Sequence, residues 1–427
     1  MLLAVSLVFS IEARAFDLSG YFKTFFVANH LPGAVYQRVG LEGPWVGSVS
    51  QRLRLDTFHR FNERLAFNLS YAIVARVQDP LLFGNLLFDD PRLAAFANAS
   101  GYRAYDLDVV LLPRNESDIH SFAILQNLDR LFFTVNFKRF DLFVGRQAIA
   151  WGSARVVNPT DVLAPFQYSE LDTEDRIGID AARLRAPLGA LGEFDVGYVA
   201  GENFETTESA FFARGKTYAA ATDLAALVLG FREHLMVGAD VTRAIGGAGS
   251  WLEAAYVFAY ALSGDRKGTD EDYLRLSVGL DYSFPNNIYT YVEYHYNQPG
   301  ASDPDDYTGG SGPDDSTGII DTPAYRDGAV FLLGQHYLIP GASFQITPLL
   351  SLLGQTLMNL TDPSVLLVGV LDYNVSEDIF LEFGAYLGLG DSPELYTSSF
   401  VERPFVTFNS EFGSFADMLY TSFRIYF

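Results

Sequence analysis

The sequence DYLRLSVGLDYSF-PNN-IYTYVEYHYN, residues 272–297, decides the fold. In residues 272–284, leucine, valine and aromatic side chains occupy every second position, and mostly polar residues or glycine stand between them. Residues 288–297 repeat the alternation after the break Pro285-Asn286-Asn287. Alternation with a period of two predicts β-strands, and the short break predicts a hairpin whose two faces see different environments.

The length of these strands separates two kinds of hairpin. Strands of soluble sandwiches are usually about five or six residues long. The two runs here extend over about ten residues or more, which is the length that a tilted strand needs to cross a bilayer, and tyrosines lie near their ends. Because only a closed sheet satisfies every backbone group in lipid, the pattern predicts an all-β fold, a transmembrane antiparallel β-barrel.

The composition agrees with this class and excludes others. The chain has 427 residues, no cysteine, and 29 Lys+Arg against 52 Asp+Glu, which gives a formal net charge of -23. The acidic excess argues against a nucleic-acid partner, and an aromatic content of 15% argues against a disordered acidic chain. Without cysteine there is no disulfide or Cys-ligated metal. The acid-rich stretch Gln298–Asp327 lacks EF-hand spacing, so neither a metal site nor a cofactor is predicted.

The first residues predict export. Leu2–Ile11 is an apolar run too short to span a bilayer as a helix, and Ala13-Arg14-Ala15 follows as a small-x-small cleavage site. We therefore expect residues 1–15 to be a signal peptide and residues 16–427 to form a single outer-membrane barrel. The alternative is that the apolar start is a ragged first strand.

The connections between the predicted strands differ strongly in length. Outer-membrane barrels pair short periplasmic turns with long extracellular loops. Short connections are predicted at Asn62-Glu63, Lys138-Arg139, Pro285–Asn287, Ile339–Ala342 and Asn374–Asp378, and long ones at Asp79–Gln126, Ala148–Thr173, Gln298–Asp327 and Gly390–Ala416. About seventeen candidate strands can be counted, but the pattern blurs within Gly201–Trp251 and bacterial barrels have an even number. The prediction is therefore about sixteen strands, with fourteen to eighteen allowed.

The last residues alternate in the same way and end in Phe427, with an apolar stripe at every second position from Leu419. This ending resembles the signal that the barrel assembly machinery of the outer membrane reads, so that machinery is an expected partner. Outer-membrane lipid and lipopolysaccharide are expected partners of any such barrel. A homo-oligomer is also expected, since trimers are common among sixteen-strand porins.

The inward faces of the strands should carry the function. Along residues 51–61 the even positions hold arginines and Asp56, and residues 130–138 and 174–186 also alternate polar with apolar positions. Facing charges of this kind set the solute preference of a pore; alternatively, they pair with one another and stiffen the wall. The predicted pore-lining residues are Arg52, Arg54, Arg60, Arg130, Arg146, Arg176, Asp180, Tyr289, Tyr291 and Glu293.

No catalytic residue is predicted, and the chain is not expected to be an enzyme. The six histidines are scattered, and no Ser-His-Asx grouping recurs at a telling spacing. His295 and Asn297 on one predicted inner face come nearest to an active site, and a tyrosine-rich lumen strand explains them more simply.

The connection 148–173 has the most individual sequence. Trp151, Asn158-Pro159 and Asp161 favour an ordered loop with several turns. Such a loop either folds back into the barrel and narrows the pore or packs on the barrel rim.

A resemblance to a known family rests on three motifs. The order G-R-Q-x-x-x-W-G at 145–152, N-P-T-D at 158–161 and E-D-R-x-G-x-D at 174–180 resembles a Gram-negative outer-membrane porin family, most clearly over residues 139–187. It is also similar to the barrel components of porin–cytochrome conduits. The resemblance implies a passive channel for ions or small solutes in the outer membrane. The alternative is a sheath or scaffold for a partner, such as an electron-conduit cytochrome or an exported polymer. A cytochrome would be a separate chain, because this one has no cysteine.

Overall fold

The computed structural model describes residues 17–38, 40–80, 101–107, 109–113, 121–166, 170–264, 266, 271–308, 318–396 and 405–427. The strands are β1 (Asp17–His30), β2 (Trp45–Arg60), β3 (Leu65–Gln78), β4 (Val110–Leu112), β5 (Phe122–Asn136), β6 (Asp141–Gln147), β7 (Ile179–Leu188), β8 (Gly192–Val199), β9 (Ala210–Ala219), β10 (Thr222–Phe231), β11 (His234–Ile245), β12 (Ala248–Phe258), β13 (Tyr273–Ser283), β14 (Ile288–Asn297), β15 (His336–Thr347), β16 (Leu350–Asn359), β17 (Ser364–Ser376), β18 (Ile379–Leu389), β19 (Glu394–Tyr396), β20 (Phe405–Thr407) and β21 (Asp417–Tyr426).

These strands form one antiparallel sheet that closes on itself. Each long strand pairs with its neighbour in the chain, and β1 pairs with both β2 and β21, which closes the ring. The large sheet has 19 strands, of which all but β4 belong to the ring, so the barrel has 18 strands. β4 pairs only with β5, and β19 and β20 form a separate two-stranded sheet. The predicted all-β transmembrane barrel is confirmed, and its strand number lies at the upper end of the predicted range.

Two segments differ from the strand assignment predicted from the sequence. The blurred region Gly201–Trp251 contains β9, β10, β11 and the start of β12, joined by two-residue turns. The predicted turn at Ile339–Ala342 is wrong, because this segment lies within β15, where Pro340 is aligned with Val292 of β14. On the other side of β15, neither Ile339 nor Pro340 is aligned with a residue of β16. This interruption is expected at a proline, because its nitrogen cannot donate a hydrogen bond.

The outer face of the barrel is apolar. Leu53, Phe133 and Leu280 stand in outward rows and are 37%, 43% and 51% exposed. Large aliphatic and aromatic side chains are exposed in the same way on most strands. So extensive an apolar surface is unfavourable in water and matches the lipid-facing band of a membrane barrel.

Part of the interior is filled by a hydrophobic core between the inner face of the wall and the loops. Trp151, Leu163, Phe212, Phe231 and Tyr325 belong to it. The helices are one-turn elements in the connections: Gly33–Arg38, Pro323–Arg326 and the 3₁₀ turns Glu202–Phe204, Pro304–Asp306, Ile319–Asp321 and Phe412–Ser414. None of the helices in the described ranges is both long and apolar enough to cross a membrane.

Candidate functional site

The connection from β6 to β7, residues 148–178, is bonded to the inner face of the barrel on two sides. We call it the crossing loop; its residues 167–169 lie outside the described ranges. One part of the loop is bonded to β12 and β14, and another to β1, β2 and β21. Because β2 and β12 are half a ring apart in the strand order, the loop runs across the interior.

The first attachment is a buried carboxylate on β12. Glu253 is 0% exposed, and its oxygens accept from the backbone N–H groups of Ser153 and Thr160 at 2.9 Å and of Ala154 at 3.1 Å. The Thr160 hydroxyl donates to the same carboxylate at 2.7 Å. A buried charge is costly unless hydrogen bonds satisfy it, so Glu253 and this stretch of backbone stabilise each other.

The second attachment is a similar carboxylate on β14. Glu293 is 0% exposed and accepts from the backbone N–H groups of Arg155 at 2.7 Å and Val157 at 2.9 Å. The indole of Trp251 donates to it at 3.1 Å. The hydroxyl of Ser277 on β13 donates to the carbonyl of Val157 at 2.6 Å. The loop backbone therefore has its donors and an acceptor matched by side chains of the wall.

On the opposite side of the ring the charges are reversed: cations of the wall bind acidic side chains of the loop. Lys23 of β1 is buried at 0% exposure and pairs with Asp172 at 2.9 Å and Glu174 at 2.6 Å, both in the crossing loop. Arg52 of β2, in register with Lys23, donates to Asp172 at 3.0 Å. The Tyr21 hydroxyl donates to Asp175 at 2.7 Å. The three acidic residues Asp172, Glu174 and Asp175 thus lie against cations of the wall.

Arg54 lies at the centre of a buried ionic network beside this attachment. Its guanidinium is 2.7 Å from Asp129, 3.0 Å from Asp56 and 3.3 Å from Asp175. Arg130 pairs with Asp129 at 2.8 Å and donates to the backbone carbonyl of Arg176 at 2.6 Å. Arg54 and Arg130, two of the residues predicted to line the pore, are therefore paired with carboxylates.

The N-P-T-D motif forms the turn of the crossing loop nearest the core. Within the motif, the backbone N–H of Asp161 donates to the carbonyl of Asn158 at 3.2 Å and closes the turn. Nearby, Trp151 packs edge-on against Phe212, with the two ring centroids 4.7 Å apart. Pro159 is buried. The Asp161 carboxylate is 2% exposed, pairs with the Arg176 guanidinium, and has its pKa raised to about 6 by burial.

A cavity of about 800 Å³ remains between the crossing loop and the wall. Arg275 of β13 is 5% exposed and is one of the residues that line the cavity; its Nε and one terminal nitrogen have no hydrogen-bond partner among the described residues. Both signs of charge line the cavity, and its polar lining includes Arg155, Asp161, Arg176, Arg275, His295, Gln355, Asp372 and Glu382. Among the described residues, no group of acidic or histidine side chains could hold a metal ion.

The other predicted residues have different surroundings. Tyr289 donates to Asp281 at 3.0 Å, and the Tyr291 hydroxyl bonds to Gln355, both on the inner face with Glu293. Arg60 is exposed at the turn end of β2.

Arg146 and Asp180 lie apart from the other predicted residues. They pair at 2.8 Å, and the register puts both in one row with Leu131, which is exposed on the outer face. The segment 101–107 packs over this pair, with the N–H of Ala104 donating to Asp180 at 2.9 Å.

Sequence reasoning did not single out Lys23, Glu253 and Arg275. Glu253 is the only charged residue in β12, and Lys23 and Arg275 stand among apolar or aromatic neighbours in their strands. An isolated charge inside an apolar run is the signal that could have identified them.

No protein-family model matches the sequence, and no curated protein matches it. Solved structures are similar over nearly the whole length. OccAB3 from Acinetobacter baumannii has a TM-score of 0.54 at 11% identity, covering 96% of this chain and 99% of that one. OccAB4 from the same organism has a TM-score of 0.53 at 9% identity, covering 98% and 100%. A BenF-like porin from Pseudomonas fluorescens Pf-5 has a TM-score of 0.52 at 10% identity, covering 96% and 99%.

These similarities are similarities of fold. They show that the chain has the barrel architecture of outer-membrane porins, as the sequence predicts. They do not bear on the resemblance of the three motifs to conduit barrels, which stays a prediction.

Proposed function

We propose that the chain is a porin-like channel for the passive diffusion of ions or small solutes across the outer membrane of a Gram-negative bacterium. The observation that carries the proposal is a closed 18-strand barrel with an apolar exterior and a charged cavity inside. At about 30 Å³ per water, the cavity of about 800 Å³ has room for roughly 27 waters. Barrels of this size hold an aqueous passage.

Residues 148–173, which make up most of the crossing loop, narrow this passage in our proposal. The support is its attachment on opposite sides of the ring, through Glu253 and Glu293 on one side and Lys23 on the other. Arg52, Arg54, Arg130 and Arg176 would line the passage together with Tyr289, Tyr291 and Glu293. Arg52 and Arg54 also pair with Asp172 and Asp175 of the loop, and Glu293 accepts from the loop backbone, so in our proposal these three serve as pore lining and as structural supports at once.

A channel is favoured over a sheath for a partner. The described interior contains a hydrophobic core and the crossing loop, and the cavity beside them is far smaller than a folded cytochrome domain. A catalytic role is not proposed either. Ser277 lies 2.9 Å from His295, but its hydroxyl proton is directed to the carbonyl of Val157. The hydroxyl is thus not activated by the histidine.

The export signal, the recognition of Phe427 by the assembly machinery and the partners of the barrel are also proposals. Residues 1–15, the proposed signal peptide, lie outside the described ranges. Phe427 exchanges backbone hydrogen bonds with Gly20 at 2.9 and 3.0 Å where the barrel closes, and its side chain is exposed. That exposure would leave it accessible to the assembly machinery. A homo-oligomer and a cytochrome partner have no support among the described contacts.

Liposome swelling tests the proposed function. Vesicles that contain the refolded chain should swell in an isosmotic monosaccharide and stay unswollen in a large dextran. Vesicles that contain heat-unfolded chain are the control. Failure to swell in any small solute, with the barrel folded, would contradict the proposal.

A further inference from the structure

Two arginines occupy outer rows of the described barrel strands. Arg146 is covered by the segment 101–107 and pairs with Asp180. Arg243 of β11 is exposed, and no carboxylate of the described residues pairs with it. Its row continues through Ser250, Leu280 and Val292 of the next three strands. A free cation therefore stands on a face that is otherwise apolar here.

An apolar groove of about 430 Å³ lies beside Arg243 on this outer face. The groove exists because Ser250 is small and its hydroxyl folds back, donating to the backbone carbonyl of Arg243 at 2.7 Å. The next row supplies larger side chains that border the groove. The apolar side chains that line the groove, from both rows, are Val241, Leu252, Val278, Leu280, Val292 and Leu338.

The position of Arg243 along the strand fits the membrane interface. It lies two residues before Ile245, where β11 ends at the short turn Gly246-Gly247. Tyr282, one row nearer that end than Leu280, is exposed on the same face, as in an aromatic girdle. A long arginine stem can extend its guanidinium to the headgroup level while the groove lies among acyl chains. The same end of the barrel carries the turn Pro285–Asn287 and lies opposite the crossing loop, residues 148–178. Because the long loops of outer-membrane barrels are extracellular, this end lies at the periplasmic leaflet.

We propose that this groove binds a glycerophospholipid with an anionic headgroup, taken from the periplasmic leaflet. The phosphate pairs with the Arg243 guanidinium, whose planar donors match two phosphate oxygens, and one acyl chain occupies the groove. Charge complementarity selects the lipid: Arg243 is unpaired among the described residues, and a phosphoglycerol headgroup has no amine that would compete with Arg243 for the phosphate. The site is independent of conduction through the lumen.

Native mass spectrometry of the full chain in mild detergent, titrated with dioleoyl phosphatidylglycerol, tests the site. Arg243→Gln should weaken the tightest lipid adduct about fivefold, the factor expected for one basic residue at an anionic lipid surface. Ser250→Phe should weaken it too, because the ring fills the groove while the charge stays. Arg139→Gln, which removes an exposed arginine from the turn between β5 and β6, is the matched control and should change nothing.

Three results would overturn the proposal. The first is equal phosphatidylglycerol affinity in Arg243→Gln and Arg139→Gln. The second is unchanged affinity in Ser250→Phe. The third is lipopolysaccharide binding that is tighter than that of phosphatidylglycerol and is weakened by Arg243→Gln, which would place the site in the other leaflet. Heat-dependent gel mobility verifies that each variant is folded. None of these results depends on whether the lumen conducts.

Discussion

Replacing Glu293 by glutamine should loosen the crossing loop without changing the size of the side chain. In the native barrel one carboxylate oxygen accepts from Val157 and the other from Arg155 and Trp251. In the orientation that loses fewest bonds, the glutamine oxygen accepts from Arg155 and Trp251, and the NH₂ group points at the N–H of Val157. One charge-assisted bond is lost and a buried N–H is left unpaired.

The loss can be estimated from that single bond. A hydrogen bond to a charged group contributes about 1.5–3 kcal/mol, so the attachment of residues 155–157 should weaken by about 2–3 kcal/mol. That corresponds to a rise of roughly 30- to 160-fold in the population in which this part of the loop is detached. Because the loop occupies the lumen in our account, detachment widens the passage.

Single-channel recording measures this population. The Glu293→Gln channel should show excursions to a higher conductance that are rare or absent in the unmodified chain. Glu193→Gln is the matched control, because Glu193 pairs with Arg185 on the wall and has no bond to the described residues of the crossing loop. Traces of folded Glu293→Gln that match those of Glu193→Gln would refute the role of the carboxylate as an attachment.

Three further predictions concern buried charges. Arg54→Ala removes one of the guanidinium groups that pair with buried Asp129, and Arg130 remains at 2.8 Å, so denaturant unfolding should show a loss of about 1.5–3 kcal/mol and the reversal potential should shift toward cations; unchanged values of both would contradict the network. Burial raises the pKa of Asp161 to about 6, so acidification from about pH 7 to about pH 5 should neutralise it, unpair Arg176 and increase anion preference. A pH step in selectivity that persists in Asp161→Asn would exclude Asp161 as its origin. Burial also raises the pKa of Glu411 to about 8, above its ordinary value; the stability it contributes is complete at low pH and is lost as the pH rises through about 8. The melting temperature should therefore fall between about pH 5 and about pH 8, the interval between the ordinary and the raised pKa, and a fall of equal size in Glu411→Gln would contradict this.

Much of the fold can be predicted because each strand carries its own alternation. The hairpin of β13 and β14 follows directly from residues 272–297, and its register aligns Val278 with Tyr294 on the outer face. The turns between β9, β10 and β11 could not be read in this way. Ala220, Ala221, Arg232 and Glu233 have positive φ there, although hairpin turns with this backbone usually contain glycine or asparagine. Without those residues the strand boundaries leave no clear trace in the sequence.

The candidate site could be predicted only in part. The even positions of β2 carry Arg52 and Arg54, and both meet the crossing loop, as the alternation suggests for an inner row. Their partners could not be named, because Arg52 and Asp172 are 120 residues apart. Glu293 and the N–H of Arg155 are separated by 138. Contacts of this range depend on the strand register around the whole ring, which one sequence does not determine.

The central claim, that this barrel conducts small solutes past an internal loop, is tested most directly by single-channel conductance of the purified, refolded chain in planar bilayers under a salt gradient. Our account predicts steady ohmic steps, with a reversal potential that reports the charge preference of the cavity. A barrel that is folded and inserted yet passes no current at any voltage would contradict it.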